Sequence, residues 1–197
     1  MKLNFSRRNF LAFGAATAAL AAASPALAST AEAERHLQNL FAAMTQAVTK
    51  PAGERTSRFE RILTQFGDMR SLAHNALGRE IRSLNPSQIQ QFTTAFKTYM
   101  AKKYGRALAK QRINGLTIES SAIKHDRRGT PYFLIKAKVH RSGKGSVNAE
   151  FKLTNTYKFF NMAIEGINML LSERRAIADI FDQQPHFNAV LEALRKG

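Results

Sequence analysis

The 197-residue chain contains no cysteine, which excludes disulfides, a cysteine-based metal site and a thiol nucleophile. Its fold must therefore stand on packing alone. Acidic side chains are also scarce, with 14 Asp and Glu against 30 Lys and Arg, a formal net charge of +16. Such an imbalance points to an anionic partner. No G-x-S-x-G, P-loop or H-E-x-x-H pattern is present, and no serine has a base at a recognisable spacing. His36, His74, His125, His140 and His186 show no close pairing, so they read as surface or helix-end histidines and not as a metal set. No internal repeat or low-complexity linker divides the chain.

The one long uncharged run, Phe10 to Ala23, is short and alanine-rich for a membrane span, which needs roughly 20 strongly apolar residues. It follows Lys2, Arg7 and Arg8 and closes on Ala26-Leu27-Ala28, the layout of a secretory signal. Ser6-Arg7-Arg8-Asn9-Phe10-Leu11 is similar to a twin-arginine export signal. The sequence thus predicts a signal peptide over 1–28, cleaved near Ala28, and one mature domain over 29–197 placed in the periplasm. Loss of the signal removes three basic residues and leaves a charge near +13.

What is present is a change of period. Residues 33–48 carry Leu37, Leu40, Phe41, Met44 and Val48 on one helical face. A second helix is expected after Thr56 with Phe59, Ile62, Leu63 and Phe66, and a third, capped by Asp68, ends at Gly78. Asn85-Pro86-Ser87-Gln88 starts a helix to about Gln111 bearing Ile89, Phe92, Phe96, Tyr99, Met100, Tyr104 and Leu108. From Asn114 the period falls to two. Leu116-Ile118 opens one strand, Phe133-Ile135-Ala137-Val139 marks a second, Val147-Ala149-Phe151-Leu153 a third, and Tyr157 to Ile164 a fourth. Turn-forming residues at 126–129 and 142–145 favour antiparallel neighbours. After Gly166 the helical period returns through Met169, Leu170, Ile177 and Phe181, and a last helix runs from Pro185 through Phe187, Val190, Leu191 and Leu194.

The expected architecture is α+β: a four-stranded antiparallel sheet with helices packed on one apolar face. A bent sheet covered by helices leaves room for an apolar pocket of some hundreds of Å³ that suits a greasy ligand, and a fully packed core is the plainer alternative. Asp68, Glu119 and Glu165 are the carboxylates to weigh as a general base. Asp68 reads more simply as a cap, and Glu165 is placed near a helix N-terminus, which stabilises it without catalysis. The sequence therefore predicts no enzyme. Lys97, Lys102, Lys103, Arg106, Lys110, Arg112, Lys124, Arg127 and Arg128 form a basic run. In an exported protein that run suits anionic headgroups or an acidic partner, not nucleic acid; a solvated face is the alternative.

Tyr157-Lys158-Phe159-Phe160-Asn161-Met162, Ile164-Glu165-Gly166-Ile167-Asn168 and Arg174 together resemble the strand-turn-helix signature of the MlaC, or toluene-tolerance, family of periplasmic lipid-binding proteins. Asn75-Ala76-Leu77-Gly78, Gln88, Phe92, Phe96 and Tyr104-Gly105-Arg106-Ala107-Leu108 resemble its middle segment. Tyr157, Asn161 and Asn168 depart from the family's usual tryptophan, aspartate and serine. The resemblance implies a carrier holding phospholipid acyl chains between sheet and helices, with bound phospholipid as its ligand and no cofactor. Its implied partners are an inner-membrane ABC transporter with an MCE-domain protein and an outer-membrane lipoprotein complex, served by a monomer. A hopanoid-linked carrier of the same family, or an adaptor without lipid, are the alternatives. The candidate lining is Phe92, Phe96, Tyr99, Tyr104, Phe133, Ile135, Val139, Phe151, Leu153, Ile164 and Met169.

Overall fold

The computed structural model describes residues 29–184 and 186–197. The expected signal peptide and Pro185 lie outside the described residues. Three helices open the chain: α1 (Thr30–Val48), α2 (Ala52–Phe66) and α3 (Met69–Leu77), followed by a 3-10 turn over Gly78–Ser83. Ser29 caps α1 by accepting from Glu32 N–H, and Asp68 caps α3 by accepting from Ser71 N–H. α2 begins at Ala52, four residues before Thr56, directly after Pro51 at its N-cap. Each helix buries its apolar stripe, including Leu37 and Phe41 from α1, Phe59 and Phe66 from α2, and Leu72 and Leu77 from α3.

The long helix α4 (Pro86–Gln111) starts with a complete capping box. Asn85 Oδ1 accepts from Gln88 N–H at 2.9 Å, and the Gln88 side chain accepts from Asn85 N–H at 2.9 Å. Its last turn closes on Arg112 in the left-handed region, φ 52°. The chain then enters the sheet through β1 (Ile113–His125), β2 (Pro131–Arg141) and β3 (Gly145–Thr154), paired in sequence order and antiparallel. Register places Phe133 opposite Leu153, Ile135 opposite Phe151 and Ala137 opposite Ala149, so one face is continuous apolar surface. The other face is wet, with Lys136 near Glu150 at 3.6 Å and Lys138 on Glu119 at 2.8 Å.

The strand-to-helix junction departs from expectation in two ways. β4 (Phe159–Ile164) starts after Tyr157, which sits in the preceding turn at φ 61°. Beyond β4 the chain forms a short fifth strand, β5 (Ile167–Asn168), before α5 (Met169–Gln183) and α6 (Phe187–Lys196). The sheet therefore has five strands, in the order β1-β2-β3-β4-β5, where four were expected. Glu165 and Gly166 both adopt positive φ, 48° and 78°, as a two-residue type I′ hairpin turn requires. This tight reversal lets Ile167 pair back onto Ile164 before the helix begins. Asn168 then caps α5 by accepting from Leu171 N–H at 3.1 Å. Glu165 and Gly166 consequently stand exposed at a turn tip, and it is Asn168 that occupies the helix N-terminus.

A candidate apolar seam between sheet and helices

Helices α1, α2 and α4 cover the apolar face and leave a narrow seam against β3 and β4. Leu40 and Met44 line it from α1, Phe59, Ile62 and Leu63 from α2, and Met100, Tyr104 and Leu108 from α4. Phe151, Phe159 and Met162 close it from the sheet. The cavity measures about 50 Å³ and has no polar surface. A second crevice of about 10 Å³ continues it toward α3 and α5, bounded by Leu72, Asn161, Met169, Leu170 and Glu173. Met100, Tyr104, Phe159 and Met162 border both spaces, so these four side chains are the partition of one seam.

These volumes fall well short of the hundreds of Å³ expected. At roughly 10–15 Å³ for each water held, the larger space has room for a few waters and not for an acyl chain. Aromatic and methionine side chains fill the rest: Phe41 meets Phe151 edge-on at 5.4 Å, and Met44, Met100, Met162 and Met169 all line the seam. Thioether side chains, with three rotatable bonds, repack more readily than branched ones.

Of the residues expected to line a pocket, Tyr104, Phe151 and Met169 border the seam. Phe133, Ile135, Val139 and Leu153 are buried on the same sheet face, outside the two crevices, with Phe133 stacked on Tyr157 at 5.5 Å. Ile164 is half-buried at the end of β4. Phe92, Phe96 and Tyr99 stack along α4 at 5.5 and 6.0 Å, and Phe92 meets Phe181 of α5 at 6.2 Å. Their stripe packs against the C-terminal helices, where Ile177, Val190 and Leu194 are also buried.

One charged residue of the seam was not expected. Glu173 is 1% exposed and is the sole charged side chain buried among the described residues. Lys103 donates to its Oε1 at 2.7 Å, and the Tyr104 hydroxyl donates to the same oxygen at 2.7 Å. Lys103 also donates to the Tyr99 hydroxyl at 3.0 Å. Burial, reinforced by the adjoining carboxylate, pushes the Tyr104 phenol well above its ordinary range. Burial opposes charging of Lys103, but its bonds to Glu173 and Tyr99 outweigh that and raise its pKa. The sequence signal for Glu173 was available: it falls between Met169 and Ile177 at intervals of four, on the stripe α5 turns inward.

The basic run splits in three dimensions. Lys102 and Arg106 donate to carbonyls at the end of α6, while Lys124, Arg127 and Arg128 lie at the far end of β1, a strand roughly 40 Å long. There Arg127 and Arg128 join Arg70, His74, His125 and Lys152 around an open groove of about 960 Å³. Its two carboxylates are engaged: Asp68 in capping α3, and Asp126 in accepting from Arg128 and Thr130 N–H at 2.8 and 2.9 Å. Those two backbone bonds hold the Asp126 carboxyl below its usual range. Arg70, Arg127, Arg128 and Lys152 outnumber these two carboxylates, so the groove keeps a net positive charge.

A helix-capped antiparallel sheet enclosing an apolar seam, with a basic groove at one end, is the class of protein this fold defines. The chain belongs to the MlaC protein family, whose model matches residues 34–196. Among solved structures it is similar in fold to a phospholipid-binding protein of Ralstonia solanacearum crystallised in complex with a phospholipid. The TM-score is 0.65 and the identity 16%, over 85% of this chain and 94% of that one. A search of curated proteins found no match.

Proposed function

We propose that this protein is a periplasmic phospholipid carrier, with acyl chains held in an enlarged form of the seam and the headgroup at its mouth. The observation that carries this reading is the larger space of the seam: an apolar gap between sheet and helices, lined by Met44, Met100 and Met162, in a chain of the MlaC family. The Ralstonia relative, crystallised with a phospholipid, supports the same assignment. Each methylene taken out of water contributes about 0.8 kcal/mol, which favours chain entry where methionine rotation widens the seam. Lipid would pass between an outer-membrane lipoprotein complex and an inner-membrane ABC transporter with an MCE-domain protein, after export directed by the twin-arginine segment. The role is binding and not catalysis, and the three carboxylates weighed as a base have structural partners: Asp68 caps α3, Glu119 pairs with Lys138, and Glu165 accepts from Asn148 N–H.

Native mass spectrometry of protein from the periplasm tests this. A mass above that of the polypeptide, with phospholipid recovered on denaturing extraction, is the expected result. A bare polypeptide mass and an empty extract overturn it in favour of a lipid-free adaptor, and a hopanoid in the extract reassigns the cargo. Because the chain has no tryptophan, Met162→Trp places a single reporter in the seam. It is expected to reduce lipid load several-fold while the protein remains folded, and an unchanged load sinks the placement of the cargo.

A further inference from the structure

The two crevices differ in chemistry. The larger is apolar throughout; the smaller, at its α5 end, is bounded by Asn161 and Glu173, each of which carries a buried oxygen without a partner. Glu173 Oε1 accepts from both Lys103 and Tyr104, but Oε2 is buried with no hydrogen-bond partner. Asn161 Oδ1, on β4, is likewise buried and unpartnered. Buried acceptors left unpaired are uncommon, because each forfeits the hydration it had in the unfolded chain. Two residues with such atoms bound one crevice, and one of them is a carboxylate that is 1% exposed.

From this geometry we infer that the α5 end of the seam is a polar subsite that binds a hydrogen-bond donor, a hydroxyl or a primary ammonium, carried by the lipid cargo. The inference rests on the carrier reading and adds selectivity to it. Both free atoms are acceptors, so the subsite repels a phosphate or carboxylate and gives a quaternary ammonium nothing to receive. Tyr104 and Lys103 both hold Oε1 and leave Oε2 free, and Met162 and Met169 line the same crevice. The crevice is about the size of a single small polar group, since a water needs roughly 10–15 Å³. Anionic parts of the ligand belong elsewhere, at the basic groove of Arg70, Arg127 and Arg128.

Displacement of a fluorescent phospholipid by three twelve-carbon probes, each below its micellar concentration or solubility limit, tests the inference. Dodecylammonium and dodecyltrimethylammonium share chain and charge but only the first has N–H donors; dodecanol supplies a neutral donor. We expect dodecylammonium to bind at least about tenfold tighter than dodecyltrimethylammonium, the scale of one charge-assisted hydrogen bond. Tighter binding of dodecanol than of dodecylammonium would assign the subsite to hydroxyls, and the reverse order to ammonium. Glu173→Gln, which keeps an oxygen for Tyr104, should remove most of the donor advantage by weakening dodecylammonium more than dodecyltrimethylammonium. Asn161→Leu, which leaves the Lys103 and Tyr104 bonds intact, should reduce the same advantage. Equal affinities for the two cations in the unaltered protein overturn the subsite while leaving the carrier standing. Uniform weakening of all three probes in both variants reduces Glu173 and Asn161 to a structural role and also overturns it. If no probe displaces the phospholipid, or the phospholipid itself fails to bind, the carrier reading falls and the subsite falls with it.

Discussion

Tyr104 and His36 show how single side chains set the conditions under which this protein is stable. Removing the Tyr104 hydroxyl takes one of two donors from the Glu173 oxygen they share, so Tyr104→Phe should lose about 1–3 kcal/mol in urea denaturation. The phenol's raised pKa gives the same contact a pH limit. Above about pH 10 the unfolded chain releases a proton that the folded chain retains, so stability should decline with further alkalinisation. His36 acts at the other end of the scale. It packs edge-on against Phe66 at 5.1 Å, and burial, with Lys158 nearby, holds its pKa below 6.5. Below pH 6.5 the unfolded chain takes up a proton that the fold resists, so this contribution is complete above 6.5 and is lost as pH falls through the folded value. Melting temperature measured from pH 7.5 to 5 should fall, and His36→Phe should flatten that fall. Two segments that resemble the MlaC family at separate places in the sequence also meet at single residues. Arg174 Nε donates to the Asn75 carbonyl at 2.7 Å and its stem packs over Gly78, where an added Cβ would sit 3.2 Å from Arg174 Cδ. The three departures from the family pattern have local accounts as well. Tyr157 stacks on Phe133 and donates to Glu32, Asn168 caps α5 as serine would, and Asn161 supplies the unpaired oxygen beside the seam.

The β4–β5 turn is the element on which the C-terminal half depends. Gly166 at φ 78° occupies a region open to glycine, while Glu165 bears the same left-handed strain at φ 48°. Gly166→Ala should cost about 1–2 kcal/mol, read from the urea midpoint, although open space surrounds the position and no side chain would clash. A midpoint equal to the parent's would show that the turn relaxes without consequence. Most helices were legible from period and caps: Asn85 to Gln88 marked the start of α4, and Gly78 the end of α3, because capping is a local exchange of hydrogen bonds. The fifth strand was not legible. Two residues carry no periodicity, and Ile167 at 62% exposure gives no burial pattern; the pairing exists because the preceding turn returns the chain to Ile164. The interior role of α5 was half legible, since its apolar stripe was read but Glu173 within it was not singled out.

At the scale of the whole molecule, the excess of positive charge becomes directional only in the fold. The groove around Arg70, Arg127, Arg128 and Lys152 concentrates it at the sheet end opposite the α4–β1 junction. Under the carrier reading, Arg127→Glu with Arg128→Glu should weaken binding to vesicles containing phosphatidylglycerol at least several-fold at low salt. The difference should shrink toward 0.5 M salt, and equal binding at both salt concentrations would remove the groove from the interaction. By itself the sequence determined the α+β order, the helix caps, the apolar sheet face and the resemblance to the MlaC family, because these depend on neighbours within a few residues or on alternation along a strand. Only the tertiary structure decided which apolar residues face a space and which face one another. Phe92 and Phe96 share a helix stripe with Tyr104, yet the stacked phenylalanines pack toward the C-terminal helices while Tyr104 reaches the seam. Position along one helix fixes a residue's face, but whether a gap opens beside it depends on which distant elements press against that face and how well their side chains fill the contact.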